Sequence, residues 1–130
     1  MRPQVRRFRD AAVQVCRNRK FSFRAFMDEH GLEEILDEAE ANAWSAQEIA
    51  GQVLFRCCVA DGQFNNFYVG LLSVMTFLND CFGSLGQGEQ QAFQDLVGIL
   101  NQQATLPAIL GWMNTHYPWR RPVPVVGCST

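Results

Sequence analysis

The sequence predicts an all-α protein, a single-domain helical bundle of six or seven helices around one hydrophobic central helix. Apolar residues recur at helical spacing throughout the chain, and no segment shows the alternation of a strand. Over residues 64–82 they cover every side of the helical wheel, which is typical of a helix buried inside a protein. The unbroken apolar part is shorter than the ~20 residues that a bilayer requires. We therefore expect a core helix, with Leu72 in its buried middle.

Helical periodicity and local stop signals define the other elements. Gly31 interrupts the second helical stretch, Ser45 and Glu48 form a capping box, and the pair Asp61-Gly62 ends the helix that this box opens. The predicted helices cover about residues 4–18, 23–42, 45–60, 64–82, 90–100 and 107–116. We expect the helical domain to span residues 1–119 and the proline-containing segment 120–130 to be an extended tail, because proline cannot continue a helix.

The charges of the chain are unevenly distributed although its net charge is only −2. Eight of the eleven basic residues lie in the first 24 positions, and eight of the thirteen acidic residues follow between Asp28 and Glu48. A basic start can be an arm that binds nucleic acid or an anionic membrane. Complementary blocks in adjacent elements favour the other interpretation, in which the basic helix pairs with the acidic segment.

Residues for catalysis or metal binding do not cluster in the sequence. The five cysteines contain no C-x-x-C pair, and the two histidines, His30 and His116, have no partners at ligand spacing. There is no phosphate-binding glycine loop, H-E-x-x-H or G-x-S-x-G. The sequence therefore predicts a binding protein and not an enzyme, with no cofactor and no metal.

Two blocks of the sequence resemble the homology motifs of the Bcl-2 family of apoptosis regulators. The first begins at Leu54: the family pattern E-L-F-x-D-G-x-N-W-G-R-I-V-A is matched by Asp61-Gly62 at D-G and by Val69 at its valine, and it leads into the hydrophobic helix. The second pattern, W-I-x-x-x-G-G-W, is matched by Trp112 and Trp119 at the same spacing. The two tryptophans are expected to fix the last helix in the core.

The chain departs from the family pattern at several positions. Asn66 stands at the glycine of the first motif, and Phe67 stands at the arginine that pairs with the aspartate of the ligand. Pro118 replaces a glycine of the second motif, and the third motif is degenerate. With no hydrophobic C-terminal anchor, the chain resembles a short virus-encoded member of the family. Without the arginine, the aspartate of the ligand has to find another donor, with Asn66, Arg56 and solvent as the alternatives. It should therefore contribute little, and the range of ligands should be narrow.

The resemblance implies an anti-apoptotic protein that sequesters the amphipathic death-motif (BH3) helix of pro-apoptotic proteins, Bim-like ones above all, in a hydrophobic groove. It implies no nucleic-acid partner and no stable membrane insertion, and it leaves a homodimer open. The candidate groove residues are Phe26, Leu32 and Leu36 on one wall, Val53, Leu54 and Cys57 on another, and Asn66, Phe67 and Gly70 at the floor and mouth.

Plain core packing is the competing interpretation for each apolar residue of this set. Asn66 and Gly70 are the exceptions, because a small or polar residue at the start of a buried helix lets a ligand backbone approach closely. A large residue at Gly70 is therefore expected to block binding and to leave the fold intact.

Two other functions remain open from the sequence alone. The spacing of Leu54, Phe55, Val59, Asp61 and later apolar residues also resembles one element of the helical-repeat middle domain of translation-initiation scaffolds, although the chain shows no repeat period. A nucleic-acid binder would use the N-terminal arginines alone. We expect a cytoplasmic location in a host cell, with peripheral association at mitochondria as the alternative, since no apolar signal segment follows those arginines.

Overall fold

The structure, a computed structural model, describes residues 1–59, 64–102 and 105–116. Within these residues it contains α-helices, one short 3₁₀ turn and no strand, which confirms the predicted all-α bundle. The predicted domain end at residue 119 and the tail 120–130 lie outside the described residues. The helices are α1 (Pro3–Asn18), α2 (Phe23–Glu29), α3 (Leu32–Asn42), α4 (Ala46–Val59), α5 (Phe64–Asp80), α6 (Gln87–Gln102) and α7 (Leu106–His116), with the 3₁₀ turn at Phe82–Ser84.

Local signals in the sequence set several of the helix boundaries. Gly31 separates α2 from α3 and has a φ of +62°, the left-handed region that glycine adopts without strain. At the start of α4 the backbone N–H of Glu48 donates to Ser45 Oγ at 3.2 Å, as the capping box predicts. The predicted stop at Asp61-Gly62 lies outside the described residues.

Helix α5 forms the centre of the bundle, with α1 and α4 packed along it. Phe8, near the start of α1, meets Phe77, near the end of α5, edge to face at 5.6 Å. Arg19, just after α1, lies over the ring of Tyr68 in the first half of α5. These contacts show that α1 runs antiparallel to α5 over its length.

One side of α5 is less buried than the sequence predicts. Leu71 and Phe77 are fully buried, whereas Tyr68, Leu72 and Met75 are half-buried and follow one another at i, i+4 and i+7 on one stripe. The expectation that Leu72 lies in the fully buried middle is therefore wrong. Among the described helices α1 and α4 make the main contacts with α5, and these three side chains are left half-buried.

Trp112 fixes α7 to α6. Its buried indole N–H donates to the backbone carbonyl of Ala92 at 2.8 Å, and the ring is only 4% exposed. This satisfies the polar end of a tryptophan whose remaining surface is in the core, and it confirms the predicted role of this residue. Its predicted partner Trp119 lies outside the described residues.

The basic start of the chain and the acidic α3 pair in part, as their charges predict. The guanidinium of Arg9 donates two hydrogen bonds to the Glu33 carboxylate, at 3.1 and 2.5 Å, and Arg2 donates to the side chain and the backbone of Glu40. The Arg9 guanidinium holds the pKa of Glu33 below its usual value. These contacts tie α1 to α3 across the surface of the bundle.

The stripe on α5 predicts different stabilities for two adjacent leucine variants. Leu71→Ala should lower the free energy of unfolding by about 2–5 kcal/mol, because it removes a fully buried side chain and leaves a cavity. Leu72→Ala should cost clearly less, because this side chain is partly exposed already. Urea unfolding followed by circular dichroism measures both. Equal losses would contradict the orientation of α5.

Candidate functional site

The predicted groove residues meet where the α2–α3 pair lies against the α4–α5 hairpin, a contact that we call the seam. Phe26, Leu32 and Leu36 enter it from the first pair, and Val53, Leu54, Cys57 and Gly70 enter it from the second. The six side chains among them are 0–2% exposed and belong to one continuous core. In this conformation the seam is closed and they pack as core. Asn66 and Phe67 lie in the first turn of α5, and their side chains are outside the described part of the chain.

Helix α3 contributes its whole apolar face to the bundle. Its buried residues Leu32, Ile35, Leu36 and Ala39 stand at i, i+3, i+4 and i+7 and are at most 2% exposed. The opposite face carries the acidic residues of the helix. With α4 as its main neighbour across the seam, α3 is an amphipathic helix that is held by four regularly spaced anchors.

Gly70 serves the contact between α4 and α5, and not the approach of a ligand. A Cβ atom at this position would lie 2.5 Å from Cys57 Sγ and 3.0 Å from Cys57 Cβ, with Phe26 Cε1 at 3.9 Å. The absent side chain is the space that lets the two helices approach. The expectation that a large residue at Gly70 leaves the fold intact is therefore wrong.

Arg56 provides the polar contact across the seam. Its Nη1 donates to the backbone carbonyls of His30 and Gly31, both at 3.5 Å, and its Nη2 pairs with Glu34 Oε1 at 3.0 Å. A Cβ at Gly31 would lie 2.9 Å from the same Nη1, which is the end of a flexible side chain and can shift, so the positive φ is the main reason for glycine at this position. One side chain of α4 thus holds the junction of α2 and α3.

His30 is buried at this junction without a hydrogen-bond partner. The residue is 4% exposed, neither ring nitrogen has a partner, and the ring packs edge-on against Phe26 with centroids 5.5 Å apart. Burial lowers the pKa of His30, and the nearby Glu29 carboxylate opposes this shift in part. An unpaired polar ring in the core weakens the packing of the segment that contains it.

Reactive chemistry is not evident at the seam. Burial raises the pKa of the Cys57 thiol well above its usual value, so this cysteine stays protonated at neutral pH. No group of three or more His, Cys, Asp and Glu residues in the described parts of the chain could hold a metal ion. The arrangement at the seam is suited to binding an apolar helix face.

A second concave region lies at the other end of α5. It is a cleft of about 380 Å³ among the starts of α1, α4 and α6 and the residues that follow α5. In it Arg7 Nη1 contacts Cys81 Sγ at 3.8 Å, while the Gln4 amide and the Glu89 carboxylate are hydrogen-bonded to backbone groups. None of the nine predicted groove residues lines this cleft. The Arg7, Gln4 and Glu89 side chains already have partners within the protein, so they do not indicate a ligand site.

The sequence did not reveal the contacts of Arg56 and His30 as parts of the seam. Gly31 within a helical pattern signals a left-handed turn, which is the local part of the arrangement. The partner of that turn, Arg56, is 25 residues away, and no spacing rule connects the two. Their contact follows only from the packing of α3 on α4.

No family model, curated protein or solved structure matches the chain. The Bcl-2 resemblance therefore remains a prediction from the two sequence blocks. Among the described helices, none has the length and apolar content that crossing a membrane requires.

A pair of glycine variants tests the close approach of α4 and α5. Gly70→Ala should lower the free energy of unfolding by about 1–3 kcal/mol through overpacking against Cys57. The control Gly98→Ala on α6, where nothing lies within 4 Å of the new Cβ, should raise it by about 0.5–1 kcal/mol. Adding Cys57→Ala should recover part of the loss at Gly70. Stabilisation by both alanines would show that Gly70 faces open space.

Protonation of His30 should make folding stability depend on pH. Unfolded His30 titrates near 6.5 and folded His30 titrates lower, so the unfolded state binds more protons between these values. Stability is therefore full above pH 6.5 and falls as the pH drops through that window. Urea unfolding at about pH 7.5 and about pH 5.5 measures this effect. His30→Met, which is similar in size, should reduce the dependence, and an equal dependence in both proteins would refute it.

Proposed function

We propose that this protein is an anti-apoptotic, Bcl-2-like binding protein that sequesters the amphipathic death-motif helix of pro-apoptotic proteins. The observation that carries the proposal is the occupied seam. The α4 side of the hairpin packs against an amphipathic helix, α3, whose buried residues stand at i, i+3, i+4 and i+7. Helix-in-groove recognition uses anchors at the same spacing. The sequence blocks around α5 and α7, which resemble the Bcl-2 homology motifs, support the assignment to that family.

In this mechanism a partner helix enters the seam as the α2–α3 pair moves away from α4. The polar contacts across the seam itself are weak, although the Arg9–Glu33 and Arg2–Glu40 contacts also hold α3 to α1. The Arg56–Glu34 pair is 34% and 69% exposed, a setting in which ion pairs contribute at most ~1 kcal/mol. The ring of His30 contributes no hydrogen bond. Apolar contacts are therefore the main interaction that holds the seam closed. The apolar anchors of a ligand helix would replace the apolar side chains of α3.

Arg56 is the cation along the described part of the seam. Phe67 stands where the family pattern has its arginine, so the conserved aspartate of a ligand finds no cation at that position. Arg56 already binds Glu34 and two backbone carbonyls. A ligand aspartate would have to compete with these groups, which supports a binding energy dominated by apolar anchors.

The packing of the helices favours this proposal over a helical-repeat scaffold. In a repeat array each helix pair contacts only its neighbours along the chain. Here α1 packs along α5, with three helices between them in sequence. Such a return of the chain is a property of a closed bundle.

Titration calorimetry against a panel of pro-apoptotic death-motif peptides, a Bim-like peptide included, tests the proposal. We expect at least one Kd below ~1 μM, about −8 kcal/mol. Hydrogen exchange on the same complex should show changed protection in α3 and α4 and unchanged protection in α6. A folded protein, by circular dichroism, that binds no peptide of the panel would refute the function. Changes confined to α6 and α7 would refute the seam as its site.

A peptide with its conserved aspartate changed to alanine serves as the matched ligand control. Its Kd should rise by less than ~10-fold, because a charge-assisted hydrogen bond worth about 1.5–3 kcal/mol is not formed. A loss of a hundredfold would show that a cation has taken over the role of the missing arginine. Repeating the titration with Arg56→Gln would then show whether Arg56 is that cation.

A further inference from the structure

The basic residues around the end of α1 differ in their ion pairing from Arg2 and Arg9. The acids of α3 engage Arg2 and Arg9, as described above. Four further cations surround the turn between α1 and α2 and are exposed. No carboxylate among the described residues lies within ion-pair distance of any of them. We call this cluster, which consists of Arg17, Arg19, Lys20 and Arg24, the basic turn.

The backbone fixes the shape of the basic turn. The N–H of Phe21 donates to the carbonyl of Cys16 at 2.8 Å, and the N–H of Lys20 donates to the carbonyl of Arg17 at 3.2 Å. This bond pair is the Schellman motif, which ends a helix through one left-handed residue. Arg19 is held in place over the ring of Tyr68, 5.0 Å from its centroid. The cations therefore stand on a defined corner of the bundle.

Lys20 occupies the left-handed position of this motif at a cost in stability. Its φ is +56°, where glycine is unstrained and residues with a Cβ are strained. Glycine would close the turn with the same two backbone hydrogen bonds. Lysine adds an exposed positive charge at this position. Lys20 therefore combines a strained backbone with a cation that makes no ion pair, and such strain is typical of functional positions.

We propose that the basic turn docks the protein on the surface of anionic lipid membranes. An anionic lipid surface attracts clustered Lys and Arg side chains, with each contributing about a fivefold gain in affinity. Phe21 and Phe23, which lie between the cations in sequence, pack against the core, so the charges carry the proposed attraction. The binding is peripheral, since no described helix can span a bilayer.

The distribution of charge around the corner favours a membrane over nucleic acid. A strand of nucleic acid makes phosphate contacts along an extended basic track. The basic turn is instead followed by α2, which ends in Asp28 and Glu29, and by the exposed Glu34 and Asp37 of α3. Glu33 lies close enough to Arg24 to interact with it, although Arg9 already holds that carboxylate. A flat surface can touch the corner alone and avoid these acids.

Sedimentation of the whole chain with vesicles tests the proposal. We expect binding to vesicles of phosphatidylcholine and phosphatidylserine that weakens with added salt, and none to phosphatidylcholine alone. Lys20→Gly should weaken this binding about fivefold and leave the melting temperature unchanged or higher. Ala43→Gly is the matched control. Ala43 is the other non-glycine residue at positive φ among the described residues, so its replacement should relieve similar strain without any change in binding.

A second pair of variants separates position from net charge. The first variant is Arg17→Gln/Arg24→Gln, and its control is Arg6→Gln/Arg7→Gln, which removes the same charge from the other end of the basic segment. Only the first should weaken vesicle binding, by about 30-fold. Equal losses in the two, equal binding to phosphatidylcholine alone, or tighter binding to duplex DNA than to the anionic vesicles would each overturn the proposal. The inference does not depend on peptide binding, which these variants should leave unchanged.

Discussion

The close approach of α4 to α5 at Gly70 is the constraint on which the rest of the structure depends. Cys57 occupies the space that a side chain at Gly70 would need, and Phe26 of α2 reaches the same point. On the outer side of this hairpin α4 packs against α3, whose four apolar residues are all buried. The other side of α5 remains available to α1, whose Phe8 packs on Phe77. A larger residue at the crossing would separate both layers at once.

The seam is held by extensive apolar packing and by few polar contacts. Its apolar anchors are fully buried, whereas the Arg56–Glu34 ion pair is partly exposed and the ring of the buried His30 makes no hydrogen bond. A contact of this kind is specific in shape and can exchange one amphipathic helix for another, since apolar burial is not directional. The proposed binding of a partner helix uses this property, with the chain's own α3 as the occupant that the partner displaces.

The basic segment of the chain divides into two parts with different roles. Arg2 and Arg9 at the start of α1 face α3, so their charges are neutralised within the fold. The cations around Lys20 make no ion pair with α3 and remain exposed, although Arg24 lies near Glu33. Charge pairing with the acidic segment and attraction to an anionic surface are thus compatible, because each interpretation applies to a different end of the same helix.

The sequence alone determined the all-α class, the break at Gly31, the cap at Ser45 and a core position for Trp112, because periodicity, φ preference and capping are local properties. Only the tertiary structure decided that Gly70 serves a helix contact and that Leu72 is half-buried. A hydrophobic helix has apolar residues on every side, and periodicity cannot tell which side its neighbours cover. That depends on which helices return to it along the chain, and here α1 and α4 leave one stripe of α5 half-buried.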